Sequence, residues 1–424
     1  MAEIKPFRAW RYHPKFTENI DKLIAPLFDV ISEKQRKQLY NEPYNSVHLS
    51  VPLGENPASE ALASLKNWKE NEVIVQDEVD SIYVYYQYFY LPNDPVKHCR
   101  KGFICMIKAY DYAENVILRH ENTMPHSVND RISILEATKL NVSPTHGLYT
   151  DSAFTLEKYM DEAMLNPVYQ IEDYQGVTDA LAIIKDKAII EEFVTLIKEK
   201  QIILADGHHR YEGSLQYRKK KQGISVSQNG NEAFNYHMMF LTNTEAHDLR
   251  ILPTHRIIKN YPSFNAEDIL TKTAQFFSIK EVDDPMCLNE IIIGKQWTFG
   301  LILKNQAYII KLKPELIESV AWKFPEQIKR LDLTVLHYFF IEKVLDILGK
   351  NQRKSEYINF ERNFLACYTT VNSNNADIAL ITNEISIEDV KKVCFSGFTL
   401  PQKSTYFYPK VISGFLFGSV DELN

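Results

Sequence analysis

Cysteine is scarce in this chain of 424 residues: Cys99, Cys105, Cys287, Cys367 and Cys394 are odd in number and widely scattered, with no Cys-x-x-Cys pair. That excludes a disulfide framework and a cysteine zinc site, and it suits reduced, mostly buried thiols. No run of apolar residues approaches the ~20 needed to cross a bilayer. The segment Met-Ala-Glu-Ile-Lys-Pro-Phe-Arg at the N-terminus lacks an apolar signal core, so a cytoplasmic location is expected. Excess positive charge is missing too. A net charge of −7 and a pI near 6.0 provide no general attraction to nucleic acid or anionic membrane, and neither is expected as a partner. Repeats, low-complexity tracts and long linkers are also missing.

With 45% hydrophobic residues over this length, the chain can bury a large core and fill two or more domains. Residues 24–52 read as strand or turn, helix, strand, and 56–75 as a helix around Leu62, Leu65 and Trp68. The tyrosine-rich run 81–91 reads as a half-buried strand with 101–110 as its hairpin partner. Helices are expected over 155–165, 189–200, 333–348 and 387–393. Strands are expected over 238–241, 377–381 and 406–417, with a loop over 223–231. The class is therefore α+β, mixed sheets with surrounding helices. Its expected division is a domain over 1–240 and a further α/β segment over 241–424.

The richest stretch is 201–212, where the strand-like Ile202, Ile203 and Leu204 stop at Asp206-Gly207-His208-His209-Arg210. Gly207 permits a tight turn, and 211–221 can continue as a helix. Unpaired N–H groups at such a helix start attract anions, with His208, His209 and Arg210 beside them. One histidine at a strand end is usually structural. Five adjacent functional residue types at one strand-to-helix junction point instead to a phosphate site.

A second cluster, Arg119-His120-Glu121-Asn122-Thr123, also follows a strand-like run and leads to Arg131 and Asn141. Either an exposed salt-bridged loop or a second part of the same site would look like this. A third, Lys403-Ser404-Thr405, pairs a cation with two hydroxyls as a P-loop does, although the P-loop glycines are absent. An ordinary turn explains it equally well. Thr254-His255-Arg256 and Asp29 rank lower.

Asp206 to Arg210 resembles the Gly-x-x-Arg turn of the ParB/sulfiredoxin-like fold, and within it the Asp- and His-bearing turn of free-serine kinases. His208 occupies the place of the sulfiredoxin catalytic cysteine, which disfavours sulfinic-acid reduction. Five segments together resemble one family, the bacterial DUF1015 group. They are Pro-Leu-Phe-Asp-Val-Ile-Ser at 26–32, Arg-His-Glu-Asn-Thr at 119–123 with Asp130-Arg131, Ala-Asp-Gly-His-His-Arg-Tyr-Glu at 205–212, Pro-Thr-His-Arg at 253–256, and Pro-Gln-Lys-Ser-Thr-Tyr-Phe-Tyr-Pro-Lys at 401–410. They span nearly the whole chain. The DUF1015 group has no assigned role; it is the resemblance of the turn to free-serine kinases that implies a ParB/serine-kinase-like core and phosphoryl transfer from ATP, ADP or pyrophosphate to L-serine or a similar hydroxy acid, with Mg²⁺ and O-phosphoserine as product.

On that reading Gly207, His208, Arg210, Lys403, Ser404 and Thr405 hold the donor, and Asp206, Glu121 and His209 are the catalytic groups. Asp206 and Glu121 also serve as Mg²⁺ ligands, since magnesium favours carboxylates and phosphate oxygens. Arg119, His120, Arg131 and Asn141 hold the acceptor. The small molecule and the polyphosphate are the expected partners, and a homodimer is compatible with this. Changing Asp206 to Asn is expected to remove activity with little loss of fold. Two rivals are a non-catalytic nucleotide-binding switch and a metal-dependent hydrolase on His120, Glu121, His208 and His209. The second lacks a His-Glu-x-x-His spacing.

Overall fold

The computed structural model describes residues 2–91, 94–224, 230–262, 264–401 and 403–421. The expected loop at 223–231 lies largely outside them. The chain divides into two compact units, one of residues 1–250 with 409–424 and the other of residues 251–408. The expected boundary at 240 thus moves by ten residues, and the last sixteen residues belong with the first unit.

The first unit is built on a nine-stranded mixed sheet in the order Ile117–Arg119, Ile202–Asp206, Thr145–Tyr149, Tyr236–Asn243, Asp94–Lys108, Ile82–Leu91, Thr178–Ile184 and Tyr169–Glu172, with Ile4–Lys5 added to Asp94–Lys108. Side chains alternate across each strand, and here both faces are covered. Ile82, Val84 and Tyr86 pack into one core cluster with Phe103, Phe193 and Leu204. Tyr83 and Tyr85 pack into the other with Trp68, Met238 and Phe240. The tyrosine strand is therefore buried on both faces from Ile82 to Gln87 rather than half-buried, and only its far end, with Tyr90, is exposed; Tyr83 donates to Asp77 at 2.6 Å and Tyr86 to Asp161 at 2.7 Å. The helices Pro57–Glu70, Lys187–Lys198 and His208–Gln222 follow the expected segments.

The expected strand over 45–52 is a helical turn, Val47–Ser50. Asn45 explains this: its Oδ1 accepts from Val47 N at 2.9 Å while its Nδ2 donates to the Lys22 and Ile24 carbonyls, both at 2.7 Å, so the side chain rather than a ladder satisfies the backbone. The expected strand over 406–417 survives only as Phe407–Tyr408 and isolated bridges at Ser413 and Phe417. Pro409 cannot donate to a ladder, and Gly414 has a φ of 117°.

The second unit contains a six-stranded antiparallel sheet in the order Phe277–Glu281, Gln306–Leu312, Thr298–Leu303, Ile378–Ile381, His255–Ile258 and Ile358–Glu361. The helix expected over 333–348 divides into Asp332–Val335 and a π-helical stretch, Leu336–Val344. Cys105, Cys367 and Cys394 are buried, and Cys99 and Cys287 partly so. No described helix is long and apolar enough to cross a membrane.

One buried clamp carries a pH signature. His98 Nε2 lies 2.9 Å from Asp94 Oδ2 and its Nδ1 2.8 Å from Asp248 Oδ1, and the hydrogen bonds the ring donates to Asp248 first and Asp94 second raise its pKa. A raised histidine adds stability that is complete below its ordinary value near 6.5 and is lost as pH rises through the folded-state value. Urea midpoints should therefore fall between mildly acidic and mildly alkaline pH, with a shallower fall in His98→Gln. Identical slopes in both proteins would remove the clamp from the account.

Candidate functional site

The strand Ile202–Asp206 pairs in parallel with Ile117–Arg119, Leu204 opposite Arg119. Both strands therefore end on one edge, and the polar turns that follow them lie side by side. A register shift between Leu204 and Asp206 brings Asp206 opposite His146, as bulges do when they redirect a side chain. Gly207 then takes a φ of 86°, and a Cβ there would stand 2.7 Å from Thr145 Cγ2 and 2.9 Å from Arg210 Nη2. The helix His208–Gln222 begins at once, with no side-chain cap from Gly207, the kind of helix start that attracts anions.

Asp206 is the charge hub. Its Oδ2 lies 3.0 Å from Arg210 Nη2, and its Oδ1 accepts from Lys410 Nζ. Burial pushes the carboxyl pKa up, but Lys410 and Arg210 outweigh it and hold the group well below the carboxylate range. Arg210 Nη1 donates to Ser143 Oγ at 3.0 Å and to Pro144 O at 2.6 Å. Lys410 is in turn held through its backbone. Gln87 Nε2 donates to Lys410 O at 3.0 Å and to Asp179 Oδ1 at 2.8 Å, and the Arg100 guanidinium donates to Pro409 O and to Gln87 Oε1. Asp179 has no exposure, and burial pushes its carboxyl up to about 8.

Around this hub stand neutral imidazoles. His120 is fully buried and pushed by that burial down to about 4. Its ring meets the edge of His208, centroids 4.9 Å apart at 86°. Burial also holds His208 and His146 well below their ordinary value. His146 stacks on Phe240 and its Nε2 meets Thr242 Oγ1 at 2.8 Å. Behind them His237, pushed by burial down to about 3, bridges Thr145 Oγ1 at 2.9 Å and Ser214 Oγ at 2.7 Å. The resting site thus takes its positive charge from Arg210, Lys410 and the helix start, and not from His120, His146, His208 or His237. His209 is half-buried, and its Nε2 accepts from Met124 N at 3.0 Å, stapling the two polar turns together. His208 is 6% exposed, and its Nε2 has no hydrogen-bond partner among the described residues.

Of the other expected residues, Glu121 is half-buried beside His120 in the first turn. Arg119 lies over the Tyr112 ring at 4.3 Å. Arg131 is buried over Phe28 at 4.2 Å, its Nη1 donating to Ser50 O at 2.6 Å and its Nε to Asp130 Oδ2 at 2.9 Å. Its guanidinium is spent on the fold rather than open to an acceptor carboxylate. Asn141 is buried in a two-residue strand opposite Gly418. Lys403, Ser404 and Thr405 belong to the second unit. There Ser404 is buried and donates to Pro401 O at 2.6 Å, closing its own turn. In that unit His255 Nδ1 accepts from Thr382 N at 3.2 Å and buried Arg256 donates to His337 at 3.2 Å.

Lys410, Arg100 and His146 were not singled out as site residues. Lys410 closes the 401–410 segment, and His146 is a polar residue inside a buried strand, so each left a faint signal.

Magnesium on Asp206 does not fit. Both carboxylate oxygens already face cations, and no group of three or more His, Cys, Asp or Glu side chains among the described residues could hold a metal. The same observation leaves a metal-dependent hydrolase on His120, Glu121, His208 and His209 without a ligand set.

The sequence model of a family described as a protein of unknown function, DUF1015, matches residues 4–334, well over half the chain. The chain belongs to the DUF1015 family. No curated protein matches it in sequence. Solved structures similar to this DUF1015 protein include a conserved hypothetical protein from Pyrococcus furiosus, at 12% identity and a TM-score of 0.36 over 73% of this chain and 92% of that one. A free serine kinase in complex with AMP reaches 12% identity and 0.34 over 72% and 86%. C-terminally truncated SbnI from Staphylococcus aureus reaches 11% and 0.35 over 73% and 85%. At those scores the likeness carries no argument about activity in this DUF1015 protein.

Proposed function

We propose that this DUF1015 protein binds a polyphosphate at the start of the helix His208–Gln222 and transfers a phosphoryl group to the hydroxyl of serine or a similar hydroxy acid. One observation carries the reading: an uncapped helix start behind left-handed Gly207 meets a buried, unpartnered His208 Nε2 and the cations Arg210 and Lys410. Phosphoryl transfer chiefly needs positioning and neutralisation of charge, and these groups supply both. Lys410 takes the role first given to Lys403, and Arg210, committed to Asp206, Ser143 and Pro144, acts mainly by holding the turn. A carboxylate kept well below its usual range by two cations is a poor base, which leaves Glu121 as the group to receive the acceptor's proton. Magnesium enters as the counter-ion of the polyphosphate rather than as a resident ion.

The engagement of both Asp206 oxygens also suits a second reading, a nucleotide-binding protein without turnover. A ³¹P NMR screen of ATP, ADP and pyrophosphate, each with serine, threonine and glycerate and Mg²⁺, separates them. O-phosphoserine or a related phosphomonoester supports transfer. Line broadening of a donor with no new ester supports binding alone, and neither effect removes both readings.

A further inference from the structure

The first unit contains a cavity of about 320 Å³, within the size range of small-molecule sites. It shares no lining residue with the Asp206 turn. Its origin lies in the first eight residues. The strand Ile4–Lys5 adds to Asp94–Lys108 with Ile4 opposite Ile107 and Lys5 opposite Met106. Ile4 is buried in the core, so alternation turns Lys5 to the other face, where it and Arg8 line the cavity above Phe7, Met106 and Tyr236.

Neither cation hydrogen-bonds a described carboxylate. Lys5 Nζ bonds the neutral Asn231 Oδ1 at 2.9 Å and sits 4.2 Å from the Tyr236 ring centre. No described carboxylate lies within 4.0 Å of it. Partial burial lowers its pKa, as for an ammonium short of water, and the more distant carboxylates of Glu3 and Glu232 offset this only in part. Arg8 Nε is buried without a hydrogen-bond partner among the described residues, and its nearest carboxylate, half-exposed Asp80, is 3.9 Å away. An exposed pair at that separation contributes little. A partly buried cation gains from a hydrogen-bonded anion, and here two such cations line one apolar-floored cavity whose single carboxylate, half-exposed Asp80, hydrogen-bonds to neither.

We propose that this cavity binds a small organic oxyanion, its carboxylate or phosphate held between Lys5 and Arg8 and its aromatic or branched body against Phe7, Met106 and Tyr236. The claim is independent of phosphoryl transfer. Phenylacetate, phenyl phosphate, acetate and benzylamine are titrated into the full chain, followed by saturation-transfer NMR and calorimetry. At least one aromatic anion should bind, acetate about tenfold more weakly, and benzylamine not at all; Lys5→Met with Arg8→Met should weaken the anion by about tenfold or more. Methionine keeps the apolar stem, and melting curves verify folding. Should the double variant fail to fold, the two single variants carry the test. Equal binding of benzylamine, undiminished binding by the folded variants, or no binding of either aromatic anion at millimolar concentration overturns the proposal.

Discussion

Asp206→Asn should lower the unfolding free energy by about 3–5 kcal/mol, because it leaves two buried cations without their shared carboxylate. The side chains of Asp206, Arg210 and Lys410 are 12%, 7% and 10% exposed, so water compensates little. This replaces the expectation of an intact fold, which treated Asp206 as a free general base or Mg²⁺ ligand. Linkage gives the sign with pH. A carboxyl lowered by its partners contributes stability above its ordinary value near 3.8 and loses it as pH falls through the folded-state value. Wild type and variant should therefore differ most near neutrality and converge in acid. Urea denaturation at several pH values reads this directly. A difference below about 1 kcal/mol at pH 7, or one that does not change with pH, would mean that Asp206 is not the hub described.

Gly207→Ala is the second large effect. A left-handed residue with a side chain costs about 1–2 kcal/mol, and forcing a methyl to 2.7 Å from Thr145 Cγ2 adds about 1–3 kcal/mol of overpacking. Gly176 offers the control. Its φ is 76° and nothing lies within 4 Å of its would-be Cβ, so Gly176→Ala incurs only the backbone cost. The excess loss in Gly207→Ala measures how tightly the turn is seated against the strand of Thr145, and polyphosphate binding should fall with it. Equal losses in the two variants would show that the turn has room.

Local patterns made much of the first unit legible. Alternating aromatic runs marked Ile82–Leu91 and its neighbour, Gly207 marked the turn, and the apolar run before Asp206 marked the strand that delivers it. Both 117–119 and 202–206 showed the same strand-then-polar-turn pattern, but their pairing and the register of Arg119 with Leu204 needed the structure. Lys403 drew attention because Lys-Ser-Thr imitates a familiar phosphate motif. The cation that reaches Asp206 is Lys410, 204 residues away in sequence, and only the return of the last residues to the first unit reveals it. Burial was equally invisible: Arg131, Arg256 and the histidines look reactive in sequence, yet the fold surrounds them with carbonyls, hydroxyls and rings.

The central claim is that the Asp206 turn grips a polyphosphate with the help of Lys410. Calorimetric titration of pyrophosphate into wild type, Lys410→Arg and Lys410→Met tests it most directly. One binding site in wild type, retained in Lys410→Arg and weakened by about tenfold or more in folded Lys410→Met, is the expected result. Equal affinity in wild type and folded Lys410→Met, or no pyrophosphate binding by wild type, would contradict it.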